Sequence, residues 1–419
     1  MWRILLLFSA LCLFAQSFEQ QTRQALDLVL ARKYQAFYDL FSPEMKKAIS
    51  LETYGQQADH ILGPLGRPDS IGAPTRRMVQ GSPLITIQLH WSAASLNFLV
   101  SWNQEGKIQG TFFRPGTGET TSWTSPDYAK TDSFTAREVT IGDDRWKLPG
   151  TLTVPKGKGP FPAVVLLQGS GPEDRDETVG GNKPFKDLAQ GLATRGIAVL
   201  RYVKRTKQYP VAEAAPTMTV ESVDDALRAA DVLRHQSDID PTHIFVLGHS
   251  QGGYVMPRIM ARDRKLAGVI VMAGNVRPLE QLIVEQSEYL LSLAGGGTAE
   301  DRKKLEEIRK DPWSIAGKLP ASYREDLKGY NPAQEAKKID MPMLILQGER
   351  DYQVTMKDFA LWHAALDGRA NVSFHSYPRL NHLFVAGEGK STPQEYDRRG
   401  HVAREVIEDI ASWIENANI

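Results

Sequence analysis

The sequence predicts a protein of the α/β class: a mostly parallel sheet covered by helices on both faces, preceded by a small α+β domain. Three observations predict it. From residue 135 onward, short apolar runs rich in β-branched residues alternate with helical stretches. One run, Ile244-Phe245-Val246-Leu247, leads directly into Gly248-His249-Ser250-Gln251-Gly252-Gly253 and then a helical segment. Before residue 115 the hydrophobic period changes once, from helical spacing to strand-like runs. A length of 419 residues suits two domains, and 42% hydrophobic with 24% charged residues is an ordinary globular balance. Formal net charge is zero, so there is no basic field to attract nucleic acid or an anionic membrane surface.

Residues 1–17 read as a secretory signal. Arg3 supplies the positive charge, residues 4–15 are nearly all apolar, and Ala15-Gln16-Ser17 offers small residues for cleavage. A secreted or periplasmic mature chain is therefore expected. No later stretch stays apolar for about 18 positions, so no integral membrane span is expected after signal removal. Cys12 is the only cysteine, and the Leu11 before it is too large for a lipid-attachment site. With Cys12 removed, the mature chain should have no disulfide, no cysteine metal site and no cysteine nucleophile.

Residues 18–115 read as the α+β domain. Leu26, Val29, Leu30, Tyr34, Phe37 and Leu40 predict one helix over 24–41. Ser42-Pro43-Glu44 and Ser50-Leu51-Glu52-Thr53 open two more, and Gly63-Pro64 ends the last. Residues 84–91, 96–102 and 108–113 are strand-like, the last two joined by the hairpin signal Asn103-Gln104-Glu105-Gly106. His60 and His90 have no partner at ligand spacing and read as structural. Residues 116–134, rich in Gly, Thr, Ser, Pro and Asp, suggest a linker.

In residues 135–419, an antiparallel pair (137–141 and 148–154) opens the α/β domain. Strands are expected at 163–167, 197–202, 244–247, 268–272, 343–346 and 372–374, with helices over 220–234 and 402–414. About 70 residues separate the strands at 268–272 and 343–346, far more than a connection needs. Residues 275–338 therefore read as a helical cap over the serine. Leu282, Ile283 and Leu290 in its first helix are candidates either to line an acyl pocket or to pack the cap on the core. The run 300–307 has opposite charges four apart and fits a solvated helix face.

The Gly-X-Ser-X-Gly turn lies between a buried strand and a helix, the context in which Ser250 is a nucleophile with Oγ exposed at the apex. The flanking glycines leave room for the reversal. Serine needs a base within reach, and in this arrangement the acid and then the histidine follow in chain order. His363 falls in a helix, His375 in a strand and His401 at the start of the last helix. His382 lies in the loop after the last strand, from which an imidazole can reach a strand tip. His249 reads as supporting, with its side chain directed away. Asp351, beyond the strand at 343–346, is the expected acid that fixes the imidazole tautomer. Glu349 is the alternative. Two backbone donors are needed for the tetrahedral intermediate. Gln251 supplies one N–H, and Ser170, within Gln168-Gly169-Ser170-Gly171-Pro172, supplies the other. That Gly-X-Gly is not a phosphate loop, because no Lys-Ser or Lys-Thr follows at a helix start.

These residues, with Asp174-Arg175-Asp176, Tyr202, Lys204-Arg205-Thr206, Gly348-Glu349-Arg350-Asp351-Tyr352-Gln353-Val354 and Asn381-His382-Leu383-Phe384, make the chain resemble secreted bacterial α/β-hydrolase serine esterases with an extra N-terminal domain of nuclear-transport-factor-like or uncharacterised type. The resemblance covers nearly all of 135–419 and is weaker over 18–115. It implies an α/β-hydrolase fold and hydrolysis of a small-molecule carboxylic ester through an acyl-serine, without cofactor or metal. Gln168 departs from the pattern, since relatives commonly have histidine there; that position shapes the oxyanion loop and moves no proton. Dienelactone hydrolases share the fold but use a cysteine. A serine peptidase or amidase with the same triad is the alternative, and a non-catalytic binding protein is a third reading that the intact Ser250, Asp351 and His382 argue against.

Overall fold

A computed structural model describes residues 17–63, 65–79, 82–91, 94–115, 123–209, 217–293, 295–315 and 319–417. Residues 1–16, which carry most of the expected signal and Cys12, lie outside the described residues, as do 116–122 of the expected linker. The chain forms two compact units, divided between Thr120 and Thr121.

In the first unit, helices Phe18–Leu30, Tyr34–Tyr38, Pro43–Ala48 and Leu51–Leu62 accompany an antiparallel sheet. Its strands are β1 (Ser70–Ile71), β2 (Thr75–Val79), β3 (Ser82–Trp91), β4 (Ala94–Trp102) and β5 (Ile108–Pro115). They run in the order β1-β3-β4-β5, with β2 also on β3. The single helix expected over 24–41 is two helices. Arg32 takes a left-handed φ of 57°, and the Arg32 and Lys33 N–H groups bond back to Val29 and Leu28, closing the first helix. Hydrophobic spacing hides the break because Val29 and Phe37 enter the same core. Strands β1 and β2 were not expected from the sequence. β2 is exposed along its whole length, so it shows no alternation of apolar and polar residues. In the core, Trp102 Nε1 donates to Thr22 Oγ1 at 2.8 Å, satisfying both buried groups.

The second unit is built on an eight-stranded sheet: β6 (Phe134–Gly142), β7 (Lys147–Pro155), β8 (Phe161–Leu167), β9 (Ala198–Tyr202), β10 (Ile239–His249), β11 (Gly268–Met272), β12 (Met343–Gly348) and β13 (Val372–Tyr377). The order is β13-β12-β11-β10-β8-β9-β7-β6. β6 and β7 pair antiparallel, β7 meets β9 antiparallel, and the other pairs are parallel. The period of two explains the continuous apolar runs. Val165, Leu167, Ile244 and Val246 enter the core on one face; Val164, Leu166, Phe245 and Leu247 enter the core on the other. Because both faces are covered there, residues 164–167 of β8 and 244–247 of β10 are apolar throughout.

Residues 123–133, within the expected linker, pack on this second unit. Trp123 Nε1 donates to Asp187 at 3.0 Å, and the buried Tyr128 hydroxyl donates to the Val402 carbonyl at 2.8 Å. Between β11 and β12 the chain forms helices Leu279–Leu293, Ala299–Lys310, Ala321–Leu327 and Pro332–Ala336, with a 3₁₀ turn at Pro312–Ile315. Leu282 is buried there and Leu290 is 41% exposed. Among the described residues no helix is long and apolar enough to cross a membrane.

Candidate active site

Ser250 sits between β10 and the short helix Gln251–Tyr254 with φ 53° and ψ −117°, a conformation that L-residues rarely adopt. The surroundings enforce it. The Ser250 N–H donates to the Met272 carbonyl at 2.9 Å. A Cβ on Gly248 would collide with the Gly252 carbonyl, and one on Gly252 with the Leu167 carbonyl. Only glycine lets the helix fold back this tightly onto β8 and β10.

Asp351 and His382 come from the loops after β12 and β13. Asp351 Oδ2 lies 2.6 Å from His382 Nδ1, and the carboxylate is fully buried. Its Oδ1 accepts from the N–H groups of Gln353 (2.7 Å) and Val354 (3.0 Å), while the Gln347 amide donates to Oδ2 at 3.2 Å. The two loops are sewn together: the Arg350 N–H donates to the Leu380 carbonyl at 3.0 Å, and a Cβ on Gly348 would lie 2.6 Å from the Asn381 carbonyl; within the histidine loop, Asn381 Oδ1 accepts from the Leu383 and Val385 N–H groups. Glu349 is exposed and instead accepts from Ser376 at 2.8 Å. His363 and His375 lie against Phe374 and Tyr377, and His401 pairs with Asp187, all outside this cluster. His382 makes its side-chain hydrogen bond to Asp351, and among the described residues none joins it to Ser250 Oγ, a contact that in serine hydrolases often tightens only in the Michaelis complex.

The loop after β8 approaches the serine. A Cβ built on Gly169 would lie 3.1 Å from Ser250 Cβ and 3.6 Å from Oγ, so Gly169 borders the reacting atom. Its N–H is already taken: it donates to Glu177 Oε1 at 2.6 Å. Its carbonyl accepts from Lys204 Nζ, also at 2.6 Å. The neighbouring Ser170 is exposed, and Gln168 is buried with Nε2 donating to the Tyr202 carbonyl. Gln251 is buried and donates from Nε2 to the Tyr323 hydroxyl at 2.9 Å.

The sequence assigns no role to Glu177, Lys204, Glu221 or Tyr323. Lys204-Arg205-Thr206 enters the family resemblance without a chemical role, and Glu177 follows the polar run after the glycines with no spacing to mark it. His249 stands closer to the chemistry than expected. Its ring centroid is 4.6 Å from that of His382, and Nε2 lies 2.9 Å from the His382 carbonyl. Its Nδ1 lies 3.0 Å from Glu177 Oε2, a charge contact without hydrogen-bond alignment. Burial works against a charge on His249, but the Glu177 carboxylate outweighs it and the pKa moves upward. At the loop's rim, burial and then the Glu177 charge push the Glu173 carboxyl up to about 7.

The cap reaches this site from two sides. Its first helix lies on the acid loop, where Tyr289 stacks on Tyr352 at 5.0 Å and Gln286 donates to the Gln353 carbonyl at 2.9 Å. Its third helix brings Tyr323 to Gln251. A cavity of about 740 Å³ lies between Val276, Gln281, Arg324 and Tyr330 and touches none of Ser250, Asp351 and His382. It belongs to the cap and is not the reacting pocket.

Sequence comparison agrees with this architecture. Residues 213–408 match the prolyl oligopeptidase family. Esterase EstD of Thermotoga maritima is 37% identical over 404 residues, spanning 95% of this chain and 95% of EstD. The chain belongs to the prolyl oligopeptidase family. As a member of that family it is a hydrolase with the α/β-hydrolase fold expected from its motifs. An uncharacterised Bacillus subtilis peptidase, YtmA, is 22% identical over 271 residues, covering 64% of this chain and 89% of YtmA. The acylaminoacyl peptidase of Pyrococcus horikoshii has 15% identity and a TM-score of 0.48, covering 81% of this chain and 48% of that one.

Proposed function

We propose that the chain hydrolyses carboxylic esters of small to medium acyl chains through an acyl-serine at Ser250. One observation carries the chemistry: a serine forced to the apex of a strained turn, beside loops that hold His382 Nδ1 against a buried Asp351 carboxylate. Asp351 keeps the proton on Nδ1 and leaves Nε2 to take the Oγ proton as Ser250 attacks the ester carbonyl. The oxyanion that forms is met by the N–H groups of Gln251 and Ser170. His382 then returns the proton to the departing alcohol. Water, deprotonated by the same imidazole, attacks the acyl-serine and releases the acid. Likeness to EstD along nearly the whole of both chains favours an ester over an amide.

The family also contains peptidases, so amides are the second reading. Kinetics on aryl esters of increasing acyl length, run beside matched aryl anilides, decide between them. We expect the esters to be turned over with kcat/KM at least about 10³ above the anilides; equal rates, or anilide preference, would overturn the ester reading. Ile283, half-buried on the first cap helix, is the better candidate for a pocket wall than the more exposed Leu290. Ile283→Ala should shift the acyl-length preference by roughly tenfold if it touches the acyl chain, as one or two methylenes in a pocket discriminate by that order.

The mature protein acts outside the cytoplasm in this reading. The apolar stretch 4–15 behind Arg3 supports it. Mass spectrometry of the processed protein should find a chain beginning at about residue 16 to 18. A retained Met1, or a lipid on Cys12, would show that the segment is not a cleaved signal.

A further inference from the structure

Beneath the loop that borders Ser250 lies a buried chain of polar groups to which the mechanism above gives no part. Lys204, just beyond β9, is 1% exposed. Its ammonium is 2.6 Å from the Gly169 carbonyl and 3.5 Å from Glu221 Oε1. Thr206 Oγ1 donates to the same Glu221 oxygen at 2.7 Å. The other Glu221 oxygen accepts from the Tyr323 hydroxyl at 2.9 Å, and that hydroxyl accepts from Gln251 Nε2 at 2.9 Å. Glu221, Tyr323 and Gln251 are 5%, 3% and 5% exposed. The chain of contacts thus starts at one oxyanion donor's peptide and ends at the residue that carries the other.

Geometry gives the lysine contact its meaning. A peptide bond is planar and almost always trans, so the C=O of Gly169 and the N–H of Ser170 point in opposite directions. Whatever grips that carbonyl from within aims that N–H outward. The preceding peptide is gripped as well, since the Gly169 N–H donates to Glu177. Ser170 is itself exposed, so its side chain has no packing with which to hold the peptide. A lysine buried only for stability would be expected to make its shortest contact with its carboxylate. Here the short contact is to the loop carbonyl, and Glu221 stands 0.9 Å further off (3.5 against 2.6 Å).

We infer that Lys204 is a positioning residue for the oxyanion hole: it aims the Ser170 N–H by holding the Gly169 carbonyl, and through Glu221 and Tyr323 the same network braces Gln251, which makes the cap helix Ala321–Leu327 part of the support for the transition state. This rests on the acyl-serine reading. It gives the cap a role in chemistry besides covering the substrate, because Tyr323 is the cap's contribution to the network. Burial, and then the Glu221 charge, keep the Tyr323 hydroxyl well above its ordinary pKa, so it stays protonated and can donate.

The test uses the full mature chain and its Lys204→Met and Tyr323→Phe variants. Four quantities are read: kcat and KM on an aryl ester, the inhibition constant of an aryl trifluoromethyl ketone, and labelling of Ser250 by a fluorophosphonate. The ketone adds to a serine hydroxyl and leaves its oxygen as an oxyanion, so it reports on the hole directly. Loss of a direct oxyanion donor lowers kcat by about 10²–10³, so misaiming one should cost Lys204→Met roughly tenfold to a hundredfold, with KM nearly unchanged. Tyr323→Phe, which deletes one oxygen and keeps the ring, should lose about threefold to tenfold. In both, ketone binding should weaken by the same factor as kcat. If Lys204→Met fails to fold, Tyr323→Phe decides. The inference is overturned if the wild-type chain labels at Ser250 yet the folded variants keep kcat within about twofold, or if kcat falls while ketone binding does not. A wild-type chain that does not label at Ser250 overturns the acyl-serine reading itself, and is recognised before any variant is compared.

Discussion

Replacing Ser250 with alanine should leave a folded protein whose ester turnover is lower by about 10⁵–10⁶. The turn that holds residue 250 is enforced by Gly248, Gly252 and the hydrogen bond to Met272, none of which needs the hydroxyl, so the fold should survive. In the proposed mechanism the Gln251 and Ser170 N–H groups remain and would support a residual rate about 10³–10⁴ above the uncatalysed one. Initial rates on an aryl ester, with circular dichroism as the folding control, measure the loss. A sulfonyl fluoride should modify Ser250 in the native chain and no site in the variant. Full activity in the alanine form, or labelling elsewhere, would remove Ser250 from the mechanism.

Asp351→Asn should lower turnover by about 10⁴, the size seen when the triad carboxylate of a serine protease becomes an amide. The hydrogen bonds explain why so small a change matters. Oδ1 accepts two backbone N–H groups, from Gln353 and Val354, and those need an oxygen. Asparagine must therefore place its oxygen there and turn its NH₂ towards His382 Nδ1. An amide donor facing Nδ1 puts the imidazole proton on Nε2, and that nitrogen can no longer accept the proton of Ser250. Glu349→Gln should change rates by no more than about twofold, since Glu349 is exposed and bonded to Ser376. Rates that fall in Glu349→Gln and hold in Asp351→Asn would move the acid to Glu349.

The parts of the site legible in the sequence are those set by local geometry. The turn at Ser250 is visible because a buried strand, two obligatory glycines and a helix start are consecutive. Asp351 and His382 are visible because each follows a strand end by a few residues, and strand ends are where this architecture gathers function. The support beneath is not visible in that way. Lys204, Glu221 and Tyr323 lie on three separate segments, and only tertiary folding brings them to Gly169 and Gln251. The sequence reads His249 as directed away from the serine; it lies against His382 because alternation along β10 puts it on the face of Phe245 and Leu247, where Leu380 and Phe384 of the histidine loop also pack. In the fold, β2 escaped notice because an exposed strand has no apolar face, and the break at Arg32 escaped because residues on either side of it share one core.

The positive φ of Ser250 has a thermodynamic side. A non-glycine residue held in such a conformation costs on the order of 1–3 kcal/mol. That energy is spent in every folded molecule, with or without substrate, so the protein is less stable than its core alone would make it. Glycine at 250 would relax the backbone and should raise the melting temperature by a few degrees while ending catalysis. Selection for heat resistance alone would therefore tend to erase the nucleophile, and its presence marks a chain in which turnover has been kept at the expense of stability.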